Sequence, residues 1–384
     1  MDSTDTNTPE PVAPEIGTRV AADSQRRFPC KGCGAQVSYA PGTTSLKCPY
    51  CSFDNPIEAS AAPIVEYDFV AALDELESTR ETTDRLVSHC DSCGANVQFP
   101  ANVTSLSCPF CGRDVVAARA STKLIKPHAL LPFGLDERAA RERYRNWLRS
   151  LWFAPSTLKD FATLDTGLVG VYLPYWTYDC AADTDYSGMR GDDYWVTETY
   201  TATVNGRPTR QTRQVRRTRW TPVSGRVHNQ FNDVLVNASG SITESRAQQL
   251  EPWDLAKVTP YADDYLAGFR AESYAMALKD GFGVAQQRME PKIVATIHSQ
   301  IGGDHQRITG KQSRYDQITF KHILLPVWTS AYRYHGKVYN ILVNARTGEV
   351  IGERPWSAWK ITGLVLAILA AIIVVLLATT VFGR

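Results

Sequence analysis

The chain has 384 residues, 43% of them hydrophobic and 21% charged, and its 41 basic and 40 acidic side chains leave a net charge of +1. That balance excludes a chain-wide polyanion-binding surface, so any basic contact must be local; the length allows two or three domains with ample core material. Eight of the nine cysteines fall in four CxxC pairs, which speaks for metal in a reducing compartment rather than for disulfides.

Residues 1–27 are rich in Asp, Thr, Pro and Ala and lack an apolar h-region, so no signal peptide is expected and the segment reads as disordered and cytosolic. Two small β modules follow, 28–58 with "FPCKGCGAQVSYAPGTTSLKCPYCSFDNPI" and 88–120 with "VSHCDSCGANVQFPANVTSLSCPFCGRDVV". Their cysteines, CGA turns and TSL triplets align at one constant offset, which marks an internal duplication. Between them, 59–87 is charged and carries Phe69, Leu73 and Leu76 at helical spacing, and it reads as a helical spacer.

Residues 121–355 have the composition of a conventional body. A helix is expected over Asp136–Trp152, with an N-cap at Asp136 and Tyr144, Leu148, Leu151 and Trp152 along one face. Residues 168–236 read as antiparallel strands with turns at "VNGRP" and "VSGRV", 263–290 as helix, and 292–352 as a strand meander turning at HG and TG. The motif LPxWT occurs at 173–177 and again at 325–329, each Pro being expected at the start or edge of a strand, and the body reads as two related half-units. In 356–384, Trp356, Trp359 and Lys360 precede the uncharged run Ile361–Phe382. As a helix that run is long enough to span a bilayer, with the flanking rings and ammonium at the interface.

The chemistry concentrates in the cysteines. Cys30, Cys33, Cys48 and Cys51 form one set and Cys90, Cys93, Cys108 and Cys111 the other. In each, two CxxC knuckles on a hairpin offer four thiolates to one ion, a closed structural site. Zinc fits soft S4 ligation and modules too small to fold without metal, giving two Zn2+, one per ribbon; rubredoxin-like iron and a redox CxxC are the competing readings. Arg207, Arg210, Arg213, Arg216, Arg217 and Arg219 crowd one hairpin. They read either as contacts for an anionic partner or as a solvated strand face paired with Asp192, Asp193 and Glu198. No phosphate loop, HExxH or GxSxG motif is present, so no enzyme activity, ATPase, helicase or hydrolase, is expected. The histidines read as strand or loop residues, Asp183 with Asp185 and Asp263 with Asp264 as caps, and Cys180 as a buried small hydrophobe.

The chain resembles a bacterial family of membrane-anchored double zinc-ribbon proteins, catalogued as primosomal protein N′ (replication factor Y)-like or transcription factor IIB-type zinc ribbon proteins. The resemblance rests on CxxC-x14-CxxC twice, then "FNDVLVNAS", "YLAGFRAESY", "TFKHILLPVWTSAYRYHGKVYNILVNARTGEV" and "RPWS". It implies a scaffold or recruitment role at the cytoplasmic membrane beside flotillin-like or phage-shock-type proteins, and it brings no helicase motif. The expected fold class is multidomain: two small β zinc ribbons, an α+β body with antiparallel strands, and one C-terminal transmembrane helix. The expected protein is a zinc-binding, tail-anchored scaffold of the cell membrane, single-pass with its N-terminal bulk in the cytoplasm. It would recruit protein partners through Tyr39, Tyr50, Phe99 and Phe110, in membrane stress or organisation. The alternative is a membrane-tethered nucleic-acid-binding protein, primosome- or replication-related, using the first ribbon and the Arg207–Arg219 hairpin.

Overall fold

The computed structural model describes residues 28–58, 63–78, 83–90, 94–98, 105–107, 114–116, 121–152, 167–204, 207–334, 337–353 and 357–382. The segment 1–27, expected to be disordered, lies outside them. Three short strands, β1 (Ser38–Tyr39), β2 (Ser45–Lys47) and β3 (Asp54–Pro56), make the antiparallel sheet of the first ribbon. In the spacer, β4 (Tyr67–Asp68) runs into α1 (Phe69–Ser78), whose first turn is held by the Ala71 amide donating to Asp68 Oδ1 at 2.7 Å. Five further short strands follow: β5 (Thr83–His89), β6 (Asn96–Gln98), β7 (Ser105–Ser107), β8 (Asp114–Val116) and β9 (Ser121–Leu124), paired antiparallel as β5–β6, β5–β9 and β7–β8.

The body is one nine-stranded sheet, curled into a half-barrel. Its central path is β12 (Arg207–Asn237), β11 (Val169–Val204), β15 (His305–Tyr334), β10 (Ala129–Leu130) and β13 (Thr259–Pro260), with β14 (Arg270–Ala271), β16 (Lys337–Asn344), β17 (Val350–Gly352) and β4 at its margins. Pairing is antiparallel except for β10 with β15 and β11 with β14. Five α-helices occur among the described residues: α1, α2 (Glu137–Ser150), α3 (Glu244–Gln249), α4 (Leu278–Ile301) and α5 (Ala358–Phe382). The expected α+β body is therefore corrected to a mostly antiparallel β architecture. The cause lies in strands of 36, 31 and 30 residues, which run through positions that carry turn residues. Gly225 of "VSGRV" makes no turn; it pairs with Tyr186, and a Cβ there would come within 2.9 Å of the Tyr186 hydroxyl.

Helix α2 begins as the sequence predicts, with the Ala139 amide donating to Asp136 Oδ1 at 2.8 Å and with Tyr144 and Leu148 buried, although Trp152 is exposed. The helix expected over 263–290 is displaced. A 3-10 turn at Asp263–Leu266 leads into β14, and α4 begins only at Leu278. It then continues through the exposed Pro291, because Ala285, Met289, Ile293, Ile297 and Ile301 recur every fourth residue and bury one face on β11, β12 and β15.

The C-terminal expectation is also corrected. Helix α5 runs from Ala358 to Phe382, with its side chains described as far as Ile373. Among the described residues no helix is long and apolar enough to cross a membrane. The transmembrane helix, and the single-pass cell-membrane localisation drawn from it, are overturned by that finding; Trp356 lies outside the described residues.

The body is built from two half-units. Each runs short strand, helix, LPxWT strand, then a return strand ending in LVNA: β10, α2, β11 and β12 in the first, and β14, α4, β15 and β16 in the second. Leu173 of one LPxWT motif lies opposite Leu325 of the other, and each short strand pairs in parallel with the long strand of the other half. The hydrogen bonds repeat with it. Ala238 N donates to Pro174 O at 3.0 Å and Ala345 N to Pro326 O at 3.1 Å. Trp176 Nε1 donates to Met276 O at 3.0 Å and Trp328 Nε1 to Leu135 O at 2.9 Å.

Both prolines thus sit inside the longest strands rather than at strand starts. Each ring nitrogen faces a break between two shorter neighbours, β14 and β12 for Pro174, β10 and β16 for Pro326. No ladder bond is lost there. Alternation along β11 and β15 then separates the core: Tyr172, Leu324 and Trp328 face the first ribbon, whereas Val171, Leu173, Leu325 and Val327 pack with Cys90 and Ala95.

Candidate metal centre

The first ribbon brings Cys30, Cys33, Cys48 and Cys51 together, all four sulfurs lying within 4.8 Å of one another. Cys30 Sγ is 3.6 Å from Cys51 Sγ and Cys33 Sγ is 3.5 Å from Cys48 Sγ. Four sulfurs at about 2.3 Å from one ion have tetrahedral edges of about 3.8 Å, so the cage fits a metal ion and is far too open for disulfides. Cys30 and Cys48 are buried, and Cys33 and Cys51 lie at the surface.

Each knuckle is a backbone device. In the first, Cys30 N donates to Ala35 O at 2.7 Å and Gly34 N to Cys30 O at 2.8 Å, with Gly34 at φ +74. That left-handed conformation is why Gly follows the second cysteine. Gly32 N donates to Cys30 Sγ at 3.3 Å. Asn55, which sequence reasoning missed, lies buried beside the cage; its Nδ2 reaches Cys30 Sγ at 3.7 Å and Leu46 O at 3.2 Å, while its Oδ1 accepts from Lys31 N at 2.8 Å. One side chain therefore locks the second hairpin to the first knuckle.

The thiols titrate apart. Burial, the largest influence on Cys30, opposes ionisation, yet the amides of Cys33 and Gly32 with Asn55 and Cys51 outweigh it and lower its pKa to about 6. At Cys48 the Cys51 amide lowers the pKa further than burial raises it. At Cys51 the Phe53 amide acts to lower it, but the neighbouring thiols and burial together push it up to about 12. Three crowded sulfur neighbours disfavour a further negative charge on the fourth, and a bound metal ion would offset that repulsion with its own positive charge.

The ribbon is welded to the body. Tyr39 is 3% exposed, its amide donates to Ala267 O at 2.9 Å and its hydroxyl to Thr43 O at 2.8 Å, and its ring meets Tyr265 at 5.1 Å. Tyr39 is therefore a core residue and not part of a binding face, which corrects its expected role. Tyr50, at 80% exposure, and Phe53 remain on the outer side. Of the second set, Cys90 is buried and repeats the first knuckle, with Cys90 N donating to Ala95 O and Gly94 N to Cys90 O, both at 2.8 Å, and Gly94 at φ +81. Cys93, Cys108, Cys111, Phe99 and Phe110 lie outside the described residues.

The arginine hairpin forms as expected, and its acidic strand answers part of the charge. Arg213 contacts Glu198 at 3.2 Å, Arg217 also pairs with Glu198, and Arg216 pairs with Asp193. Hydrogen bonds from Arg217 first and then Arg213 lower the Glu198 pKa, and Thr218, then Arg216 and His305, lower that of Asp193. Arg219 lies over the Tyr194 ring at 5.2 Å and Arg213 over Tyr200 at 5.5 Å. The Arg207 side chain lies outside those described. Asp183 and Asp185 are strand residues facing His228 at 2.9 Å and Arg226 at 2.7 Å, not caps. Cys180 is buried against Met289, and burial pushes its thiol up to about 11.

One sheet of this kind, with a four-cysteine ribbon fastened to one face, defines a ribbon-bearing antiparallel β protein. Among known proteins the chain is similar to YdjG of Bacillus subtilis (strain 168), an uncharacterised protein, at 23% identity over 346 residues covering 87% of this chain and 91% of that one. No family model matches the chain, and no solved structure does.

Proposed function

We propose that the protein is a non-enzymatic scaffold in which zinc is structural and the outer side of the ribbons recruits protein partners. The observation that carries this reading is the division of the first ribbon. Its four sulfurs close on one another and its inner face is core, while Tyr50 and Phe53 stand exposed beside the cage. Four thiolates saturate a tetrahedral ion and leave no position for substrate, whereas aromatic rings on a rigid base suit protein contact. Zinc is the ion favoured by S4 ligation. A second zinc in Cys90, Cys93, Cys108 and Cys111 is supported by the knuckle that Cys90, Gly94 and Ala95 repeat. A photo-crosslinking amino acid placed at Tyr50 of the full chain in cells should give a discrete protein adduct, lost when Phe53→Ala is added. Adducts no more abundant than those from the same probe at the exposed Trp152 would overturn the reading.

A further inference from the structure

The two half-units differ in one respect that the core does not require. The second closes its hairpin between Val327 and Asn344, whereas the first, from Tyr175 to Asn237, carries a long extension. Strand β15 supports that extension only as far as the pair Gly191–His305. Beyond it, Asp192–Val204 and Arg207–Arg219 continue as a two-stranded ribbon, reaching about 40 Å at about 3.3 Å per residue. None of its described side chains belongs to the core clusters.

We propose that this β arm binds nucleic acid through the sugar–phosphate backbone. The arm sets six arginines against Asp192, Asp193 and Glu198, so a positive excess remains after every internal ion pair is counted, on a chain whose net charge is only +1. The charge is arranged on faces. Register places Tyr194 opposite Arg217 and Glu198 opposite Arg213 on one face, and Trp195 opposite Arg216 and Thr201 opposite Arg210 on the other. Arg213, Arg216 and Arg217 keep more than half of their side-chain surface exposed within their ion pairs. Such pairs are weak and exchange readily for a phosphate, which a guanidinium grips with two parallel hydrogen bonds. Trp195 is 66% exposed and Tyr200 is also open, offering rings for base stacking. A two-stranded ribbon is moreover of a width that a major groove of about 12 Å admits.

The inference goes beyond the scaffold reading, and its failure leaves that reading standing. The full chain is titrated into a labelled mixed-sequence DNA duplex, a labelled single-stranded RNA, and vesicles of phosphatidylglycerol and phosphatidylcholine. Binding to at least one nucleic acid is expected at 50 mM salt, with a loss at 200 mM of roughly fiftyfold for the single strand and about 150-fold for the duplex, for about four phosphate contacts. The variant R210Q/R213Q/R217Q/R219Q should bind at least tenfold more weakly with a flatter salt dependence. Glu198→Gln, which releases Arg213 and Arg217, should bind severalfold more tightly, a gain that misfolding cannot produce. Absence of nucleic-acid binding at 50 mM salt, arm-dependent binding to vesicles alone, or an unchanged or weakened affinity in Glu198→Gln would each overturn the proposal.

Discussion

His322 shows how much of a residue's behaviour its neighbours decide. The sequence offers an imidazole on a strand, and the fold buries it to 3% exposure between Trp176 and Tyr274, with Nδ1 donating to Ile125 O at 3.0 Å. The His322 amide in turn donates to His128 Nδ1 at 3.1 Å, and the Tyr67 ring stacks on His128 at 4.1 Å. Burial lowers His322 to about 3, aided by repulsion from His128, and burial lowers His128 to about 4. Unfolded, both titrate near 6.5. Below that pH the unfolded chain takes up protons that the fold refuses, so stability fully present above about 6.5 is lost as pH falls toward the folded values. At about 1.4 kcal/mol per pKa unit, the pair costs about 5 kcal/mol by about pH 4.5. Asp179 runs the other way, because burial raises its carboxyl to about 6 despite the amide of Asp233. Its folded form protonates first and gains stability as pH falls. The comparison is therefore between variants: His322→Asn, which keeps a donor for Ile125 O, should lose about 2–3 kcal/mol less than the parent between pH 6.5 and 4.5 in urea titrations. Parallel losses would contradict this. The burial was not legible because the residues that enclose His322 come from three separate stretches of sequence, around Ile125–His128, Trp176 and Tyr274.

At the scale of elements, short local signals read correctly and long-range ones did not. The CxxC spacing gave the cage and Asp136 gave the start of α2, since both depend on a few adjacent residues. The LPxWT echo indicated two half-units, but its prolines pointed toward strand edges, because the breaks that accommodate them are made by β10, β12, β14 and β16. The second repeated motif, LVNA at 235–238 and 342–345, was there to be read. Its asparagines are buried and hold the backbone that follows, Asn237 Oδ1 accepting from Ser239 N at 3.1 Å and Asn344 Oδ1 from Arg346 N at 2.8 Å. If the halves are equivalent, Trp176→Phe and Trp328→Phe should cost the same, about 2–3 kcal/mol, each leaving one carbonyl without its indole donor. Chemical denaturation measures both. A difference of more than about 2 kcal/mol would show that the repeated geometry carries unequal weight.

For the whole molecule, composition bounded the answer without drawing it. A near-neutral chain with ordinary hydrophobic content described a globular body, yet the run of strand residues between 169 and 237 gave no local sign that one hairpin would outgrow the sheet. The ribbon was legible as a module but not as a part of the core, since Tyr39, Val37 and Leu46 share a cluster with Phe133, Tyr172 and Trp328. This joining makes the metal centre a fastening of the body as well as of the ribbon. The most direct test is zinc-edge X-ray absorption on the full chain, followed by thermal melting of Cys48→Ser. Zinc bound by sulfur alone at about 2.3 Å is expected, with a variant that holds one zinc fewer, the first ribbon's, and melts at a clearly lower temperature. Oxygen or nitrogen in the coordination shell, or a variant that loses that zinc and melts unchanged, would contradict this expectation.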